Sequence, residues 1–154
     1  MRNPKETFAR VRASAKPAFG SLRVDGEVLA GDGGTFACHA KAKMPRGTLD
    51  VFEHDDCVVA LLRKKVPTRW EMDGVVRSDT ATGCVLTSAT HREIEAIDDE
   101  MLLADLVDEA DLPAVLATPK GSRFAVFAFL GDGVYEVAKG YDAKSACCAL
   151  IVYG

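Results

Sequence analysis

Apolar residues in this chain come in short runs, broken by turn residues about every eight to twelve positions. Alternation with a period of two predicts strands, because successive side chains on a strand point to opposite faces. Phe19 to Ala30 reads as two short strands around Asp25-Gly26, since Asp-Gly between apolar runs favours a hairpin. Gly31-Asp32-Gly33-Gly34 predicts a second turn, and Thr35 to Met44 a strand with Phe36, Cys38, Ala40 and Ala42 on one face. Pro45-Arg46-Gly47 interrupts the pattern. Thr48 to Glu53 and Cys57 to Lys64 predict a hairpin joined by His54-Asp55-Asp56. Its second arm is apolar almost throughout, as in a strand buried on both faces. Arg69 to Met72 and Val75 to Arg77 form another pair around Asp73-Gly74. Arg123 to Leu130, Val134 to Lys139 and Ala146 to Tyr153 predict a three-stranded meander.

Helical spacing occurs in two places. Residues 1–18 read as an N-terminal arm or short helix, with a faint stripe through Phe8, Val11 and Arg12 and a stop at Pro17. Thr90-His91-Arg92-Glu93 has the spacing of a capping box, and Ile94 and Ile97 follow it. Asp98 is placed to cap a second helix, in which Leu103, Leu106, Val107 and Ala110 share a face before Pro113. No strand–helix–strand alternation is present, which disfavours a parallel sheet. The predicted fold is α+β: residues 19–154 form a single β-rich domain, a mostly antiparallel twisted sheet or half-barrel. It has about eight to ten short strands and one helical hairpin at about 90–110.

A chain of 154 residues that is 48% hydrophobic has enough apolar surface for its own core. No run is long enough to cross a bilayer, and Pro4 and scattered charges break up the N-terminus where a signal peptide would be apolar. A cytoplasmic protein with no membrane partner is expected. The five cysteines, Cys38, Cys57, Cys84, Cys147 and Cys148, include no C-x-x-C pair, so a disulfide framework is not expected. Cys147 and Cys148 are adjacent on a strand and so predicted to face opposite ways, as small core residues.

The net charge of −4 is unevenly spread. Residues 1–23 hold six Lys/Arg and one Glu, without the aromatic interleaving of a nucleic-acid surface. Residues 93–111 hold nine Asp/Glu and no Lys or Arg, the pattern of a solvated helical face. No nucleic-acid partner is expected.

Several constellations bear on chemistry. His54-Asp55-Asp56-Cys57 holds four potential metal ligands, but consecutive residues rarely converge on one ion and these are natural turn formers. Cys84, Ser78 and Ser88 are candidate nucleophiles, with His39, His54 and His91 as bases, yet no G-x-S-x-G elbow occurs. Gly31-Asp32-Gly33-Gly34-Thr35 leads into a strand and lacks the Walker lysine, so it is not a nucleotide loop. Glu71, Asp79 and Asp132 sit at strand ends or turns beside Trp70, Thr82 and Tyr135. If those turns share one edge of the sheet, they line a cleft suited to a hard cation or a small ligand. Otherwise each aspartate only closes its own turn.

Three stretches carry a family likeness. Arg69-Trp70-Glu71 with Asp79-Thr80-Ala81-Thr82-Gly83-Cys84, and Gly131-Asp132-Gly133-Val134-Tyr135 with Gly140-Tyr141-Asp142, are the stronger two. Pro45-Arg46-Gly47 before Val58-Val59-Ala60-Leu61 is the third. Together they resemble the bacterial domain-of-unknown-function family 4241 over residues 19–154. Ala81 stands where that family commonly has glycine, and Val85 where it has phenylalanine. The resemblance implies no activity. It singles out Trp70, Glu71, Asp79, Cys84, Asp132, Tyr135 and Asp142, together with Gly83, Gly131 and Gly133 as structural glycines.

The sequence therefore points to a binding or interaction domain rather than an enzyme. Its candidate site is Trp70, Glu71, Asp79, Thr82, Cys84, Asp132, Tyr135 and Asp142. No cofactor is predicted, and the partner is a protein or a small ligand. The alternatives are a hydrolase, using Asp79, Asp132 and Glu71 around a metal or Cys84 with a histidine, and a structural or homo-oligomeric domain. An oligomerising role would show as an exposed apolar edge along Cys147 to Tyr153.

Overall fold

The computed structural model describes residues 2–154. Three helices and nine strands follow in the order α1 (Pro4–Ala13), β1 (Gly20–Asp32), β2 (Cys38–His54), β3 (Cys57–Leu62), β4 (Arg69–Ser78), β5 (Thr82–Thr87), α2 (Ser88–Glu95), α3 (Glu100–Glu109), β6 (Ala114–Ala117), β7 (Arg123–Ala128), β8 (Gly133–Tyr141) and β9 (Cys147–Tyr153). The strands form one antiparallel sheet, ordered β4-β8-β9-β3-β2-β1-β5-β7-β6. This is an α+β fold with an antiparallel sheet and three helices: α1 falls in the segment read as an arm or short helix, and α2 and α3 fall in the stretch read as a helical hairpin. No helix among the described residues is long and apolar enough to cross a membrane.

Period-two alternation divides the central strands between an inner and an outer core. Val58, Ala60 and Leu62 of β3, Leu150 and Val152 of β9, Val85 of β5 and Phe127 of β7 enter the inner core. The residues between them face out. Cys57, Val59, Ile151 and Tyr153 pack under Val11 of α1, while Cys84, Leu86, Phe124 and Val126 pack under Ile94 of α2 and Leu103 and Val107 of α3. Each helix thus covers apolar surface that the sheet would otherwise expose, and each buried Val, Leu or Ile contributes about 1.5–3 kcal/mol. The inner core is closed because edge strand β4 folds back over β1 and β2. The Arg77 N–H donates to His39 Nδ1 at 3.4 Å, and Gly74 lies over Ala40.

The Asp-Gly pairs do different work from that predicted. β1 runs unbroken through Asp25-Gly26, and β2 unbroken through Pro45-Arg46-Gly47. The register passes from Val24↔Gly47 to Gly26↔Met44, so Pro45 and Arg46 bulge opposite Asp25. Pro45 is tolerated because a bulge spares it a ladder hydrogen bond. Asp73-Gly74 likewise bulges within β4 opposite Val137. Gly26 and Gly74 have φ of +114° and +100°, which a strand bulge demands as readily as a hairpin does. A further shift between Ala30 and Gly31 carries Cys38 away from the face shared by Ala40 and Ala42. A shift beside Tyr141 leaves both Cys147 and Cys148 in the inner core, not on opposite faces.

Other expectations are corrected as well. β7 pairs with β5 and β6, so it forms no meander with β8 and β9. β9 lies between β8 and β3 with all seven residues buried, so the exposed edge that an oligomerising role would show there is absent. The N-cap of α2 is Thr87, three residues before the predicted box, and its side chain accepts from the Thr90 N–H. Glu93 instead accepts from the hydroxyls of Thr118 and Ser122 at the β6–β7 turn. Asp99, not Asp98, caps α3.

Candidate functional site

The β4–β8 register decides which sequence candidates meet. Ser78 is opposite Gly133, so Asp79 and Asp132 leave the same end of this strand pair. Trp70 is opposite Gly140, at the other end. Eight residues of extended chain separate Trp70 from Ser78, roughly 25 Å at strand rise. Asp79, Thr82, Gly83, Cys84, Asp132 and Tyr135 therefore group at one end, and Trp70, Glu71 and Asp142 at the other.

The Trp70 end has structural employment for each residue. The Trp70 ring packs on Phe8 of α1 at 5.5 Å and crosses Gly140, where a side chain would strike it. Glu71 is exposed and pairs with Arg69, whose guanidinium lies 4.4 Å over the Tyr141 ring. Asp142 closes its own turn: Oδ1 accepts from the N–H groups of Lys144 at 2.9 Å and Ala146 at 3.0 Å. The Ala146 bond first, and then that from Lys144, hold its carboxyl below the usual value.

The other end is organised by Asp32, which in the sequence stands only as a turn residue. Only 1% exposed, it accepts seven hydrogen bonds. Oδ2 takes the N–H groups of Gly34 and Thr35 and the Thr35 hydroxyl. Oδ1 takes the Ser78 and Thr80 hydroxyls and the N–H groups of Asp79 and Thr80. Burial pushes the Asp32 pKa up, but bonds from the Thr35 backbone and hydroxyl, Thr80 and Ser78 outweigh it and hold the value below normal. The β1–β2 turn is thereby stapled to the β4–β5 turn. Ala81 within the latter is held at φ +56°.

Asp79 contributes its main chain to this staple, while its carboxylate is exposed. Thr82 bonds Thr80 through its hydroxyl at 2.6 Å, and its carbonyl, 2.9 Å from the Ser78 hydroxyl, shares that one proton with Asp32. With both Asp32 oxygens occupied by donors, no lone pair is left to draw a cation. Among the described residues, no group of three His, Cys, Asp or Glu side chains is placed to hold a metal ion. Cys84 is fully buried, its Sγ 3.5 Å from the Asp32 carbonyl. A hydrogen bond with Cys38, then burial, push its thiol pKa up, which makes a poor nucleophile. Gly83 is required sterically, since a side chain there would run into the Phe127 ring. His91 is half-buried within α2, with Nε2 2.9 Å from the Phe36 carbonyl and Nδ1 2.8 Å from Glu95.

The Gly131-Asp132-Gly133 loop crosses from β7 to β8. Neither glycine takes a positive φ, and neither is crowded by a neighbour. Tyr135 orders the loop instead. Its hydroxyl donates to the Gly131 carbonyl, and its ring stacks on Phe129 at 3.8 Å and 8°. Asp132 is exposed.

On the other side of Phe129 lies an opening the sequence did not reveal. Phe127, Phe129, Leu130, Val58 and Val152 line a depression of about 200 Å³ at a mouth of the inner core. Leu130 is 100% exposed. Glu53, Asp55 and Asp56 from the β2–β3 hairpin form the rim. Asp56 reaches Arg2 at 3.3 Å, Glu53 reaches Lys16 at 3.6 Å and Asp55 reaches His54 at 3.6 Å. Next to Asp56, Cys57 packs on the α1 side of the sheet, where burial and then the Asp56 charge raise its thiol to about 11. The one sequence signal was the apolar run Phe124 to Leu130, which continues past the end of β7 into the glycine loop.

Comparison of the chain with protein-family models, curated proteins and solved structures finds no match.

Proposed function

We propose that the protein is a cytoplasmic, non-enzymatic binding domain whose site is the Leu130 mouth, and that it receives an apolar group bearing a positive charge, such as a side chain of a basic protein partner. The carrying observation is a fully exposed leucine beside an apolar depression with three carboxylates at its rim. Exposed apolar surface bordered by polar groups is a recurrent mark of recognition sites. The rim acids are solvated and in reach of flexible basic side chains, so a cationic ligand exchanges one ion pair for another at little cost.

The five free cysteines suit a reducing compartment. We read the curled sheet as a half-barrel, consistent with the resemblance to family 4241, which adds no activity to the reading. The hydrolase alternative has less behind it: the Cys84 thiol is buried and held protonated, and Asp32 at the Asp79 end is saturated with donors.

Titration of ¹⁵N-labelled protein with 2-phenylethylammonium and with 3-phenylpropionate tests the reading. The expected result is amide shifts in residues 127–131 and at Val152 with the cation alone, at a Kd on the order of millimolar for so small a ligand. Equal response to the anion, or shifts confined to other surfaces, overturns it.

A further inference from the structure

Pro45-Arg46-Gly47 has no part in the mouth, yet it shapes a second concavity. Where Pro45 and Arg46 bulge opposite Asp25, the β1–β2 ribbon bends. β5 pairs with β1 only from Val28 onward, so the same side of β1 has no β5 partner before that residue. The resulting groove has a volume of about 780 Å³, and it brings together Arg23 of β1, Arg46 of β2 and Arg92 of α2.

These three guanidiniums come from three separate elements, and all are exposed. Among the described residues, none of the three makes an ion pair, whereas Arg2, Arg63 and Arg69 each do. Two carboxylates also line the groove. Glu27 accepts the Ser88 hydroxyl at 2.9 Å, which leaves lone pairs free, and Asp25 sits at the bend.

The chemistry of that lining is specific. Arginine presents a planar fork of donors that matches phosphate oxygens, and it is favoured where phosphate is bound. A carboxylate beside it repels a bare polyanion but accepts hydrogen bonds from hydroxyls. The volume falls in the usual range of small-molecule sites, about 300–1,000 Å³. We propose that this groove binds a phosphate ester of a hydroxylated small molecule, a nucleotide or a sugar phosphate, with Arg23, Arg46 and Arg92 on the phosphate and Asp25 and Glu27 on hydroxyls. The site is independent of the Leu130 mouth, with which it shares no lining residue.

Calorimetric titration at low salt with ribose 5-phosphate, adenosine 5′-monophosphate, inorganic phosphate and ribose tests it. Both esters are expected to bind with Kd below about 1 mM, inorganic phosphate more weakly, and ribose not at all. Tighter binding of the nucleotide than of ribose 5-phosphate identifies a nucleotide site, and the reverse identifies a sugar-phosphate site. Arg23→Ala, Arg46→Ala and Arg92→Ala each remove a charged hydrogen bond and are expected to weaken binding about tenfold. Arg46→Lys and Arg92→Lys keep the charge and the fold but lose the fork, and are expected to weaken it by less. Melting curves of all five variants should match the parent. The proposal is overturned if neither ester binds at about 10 mM, if inorganic phosphate binds as tightly as the esters, or if ester binding is unchanged in the Arg→Ala variants.

Discussion

The Asp32 staple and the Leu130 mouth are both built from Asp- and Gly-bearing turns near strand ends, and they stand at opposite physical extremes. At Asp32 a buried carboxylate has seven donors on its two oxygens. At the mouth a leucine is left entirely in solvent above an apolar depression. A charge that is buried and fully bonded holds structure together and has nothing further to offer a ligand. An apolar side chain with no neighbour on one side contributes little to folding and is free to contribute to binding. This contrast moves the candidate site away from the aspartates that the sequence offers first.

The largest effect is expected from breaking the staple. Asp32→Ala removes the acceptor of the N–H groups of Gly34, Thr35, Asp79 and Thr80 at once, and leaves the Ser78 and Thr80 hydroxyls only their contacts with Thr82. Water entering the space left behind will satisfy some of them, so the expected loss is about 3 kcal/mol or more rather than the full sum. Urea unfolding measures it. A loss under about 1 kcal/mol would mean that the two turns are held by other contacts, and the contrast with the mouth would fail.

Acid sharpens the same comparison. The folded-state pKa of Asp32 lies below its unfolded value, so its stabilising contribution is full above that unfolded value, near 3.9. The contribution is lost as pH falls through the folded value. Asp50, held down mainly by Arg63, and Asp142 add in the same direction. Stability should therefore fall below about pH 4. The fall should be shallower in Asp32→Asn, which starts less stable and has one fewer proton to take up. Urea midpoints collected across the acid limb give the two slopes, and equal slopes would remove Asp32 from the acid response.

The sequence pattern carried the strands well and their connections poorly, and the reasons are local. The β2–β3 hairpin was readable because Asp55 and Asp56 form a two-residue turn between arms paired from His54↔Cys57 to Leu49↔Leu62. Asp25-Gly26 and Asp73-Gly74 carry the same chemistry, but a long neighbouring strand runs alongside each; Gly74 lies within a bulge and Gly26 beside the bulge of the facing strand. Nothing within a few residues of either pair tells a bulge from a turn. Asp79 and Asp132 do leave one end of a strand pair, but Trp70 and Asp142 belong to the other, because β4 is one continuous strand. Asp32 is hard to single out because its donors lie two or three residues away in one turn and more than forty residues away in another. The pairing of β5 with β7 and of β4 with β8 is equally long-range. It puts Phe129 against Tyr135 and opens the mouth, which no local pattern announces.

The smallest expected effect on stability is the most direct test of the contrast. Leu130 is fully exposed, so Leu130→Ser removes no packing from the folded state and should shift unfolding by less than about 0.5 kcal/mol. The same substitution removes apolar surface from the wall of the mouth. If a bound phenyl ring buries about half of that side chain, its loss is worth about 1 kcal/mol, a five- to tenfold weakening of 2-phenylethylammonium. Asp32→Ala should show the reverse pairing: stability drops sharply, while every group that touches the probe stays in place. Two outcomes would break the comparison. A loss of stability above about 1 kcal/mol in Leu130→Ser would show that the leucine is packed in solution and that the mouth is closed. Unchanged probe affinity would show that the ligand enters elsewhere, and the exposed leucine would then be an ordinary surface residue.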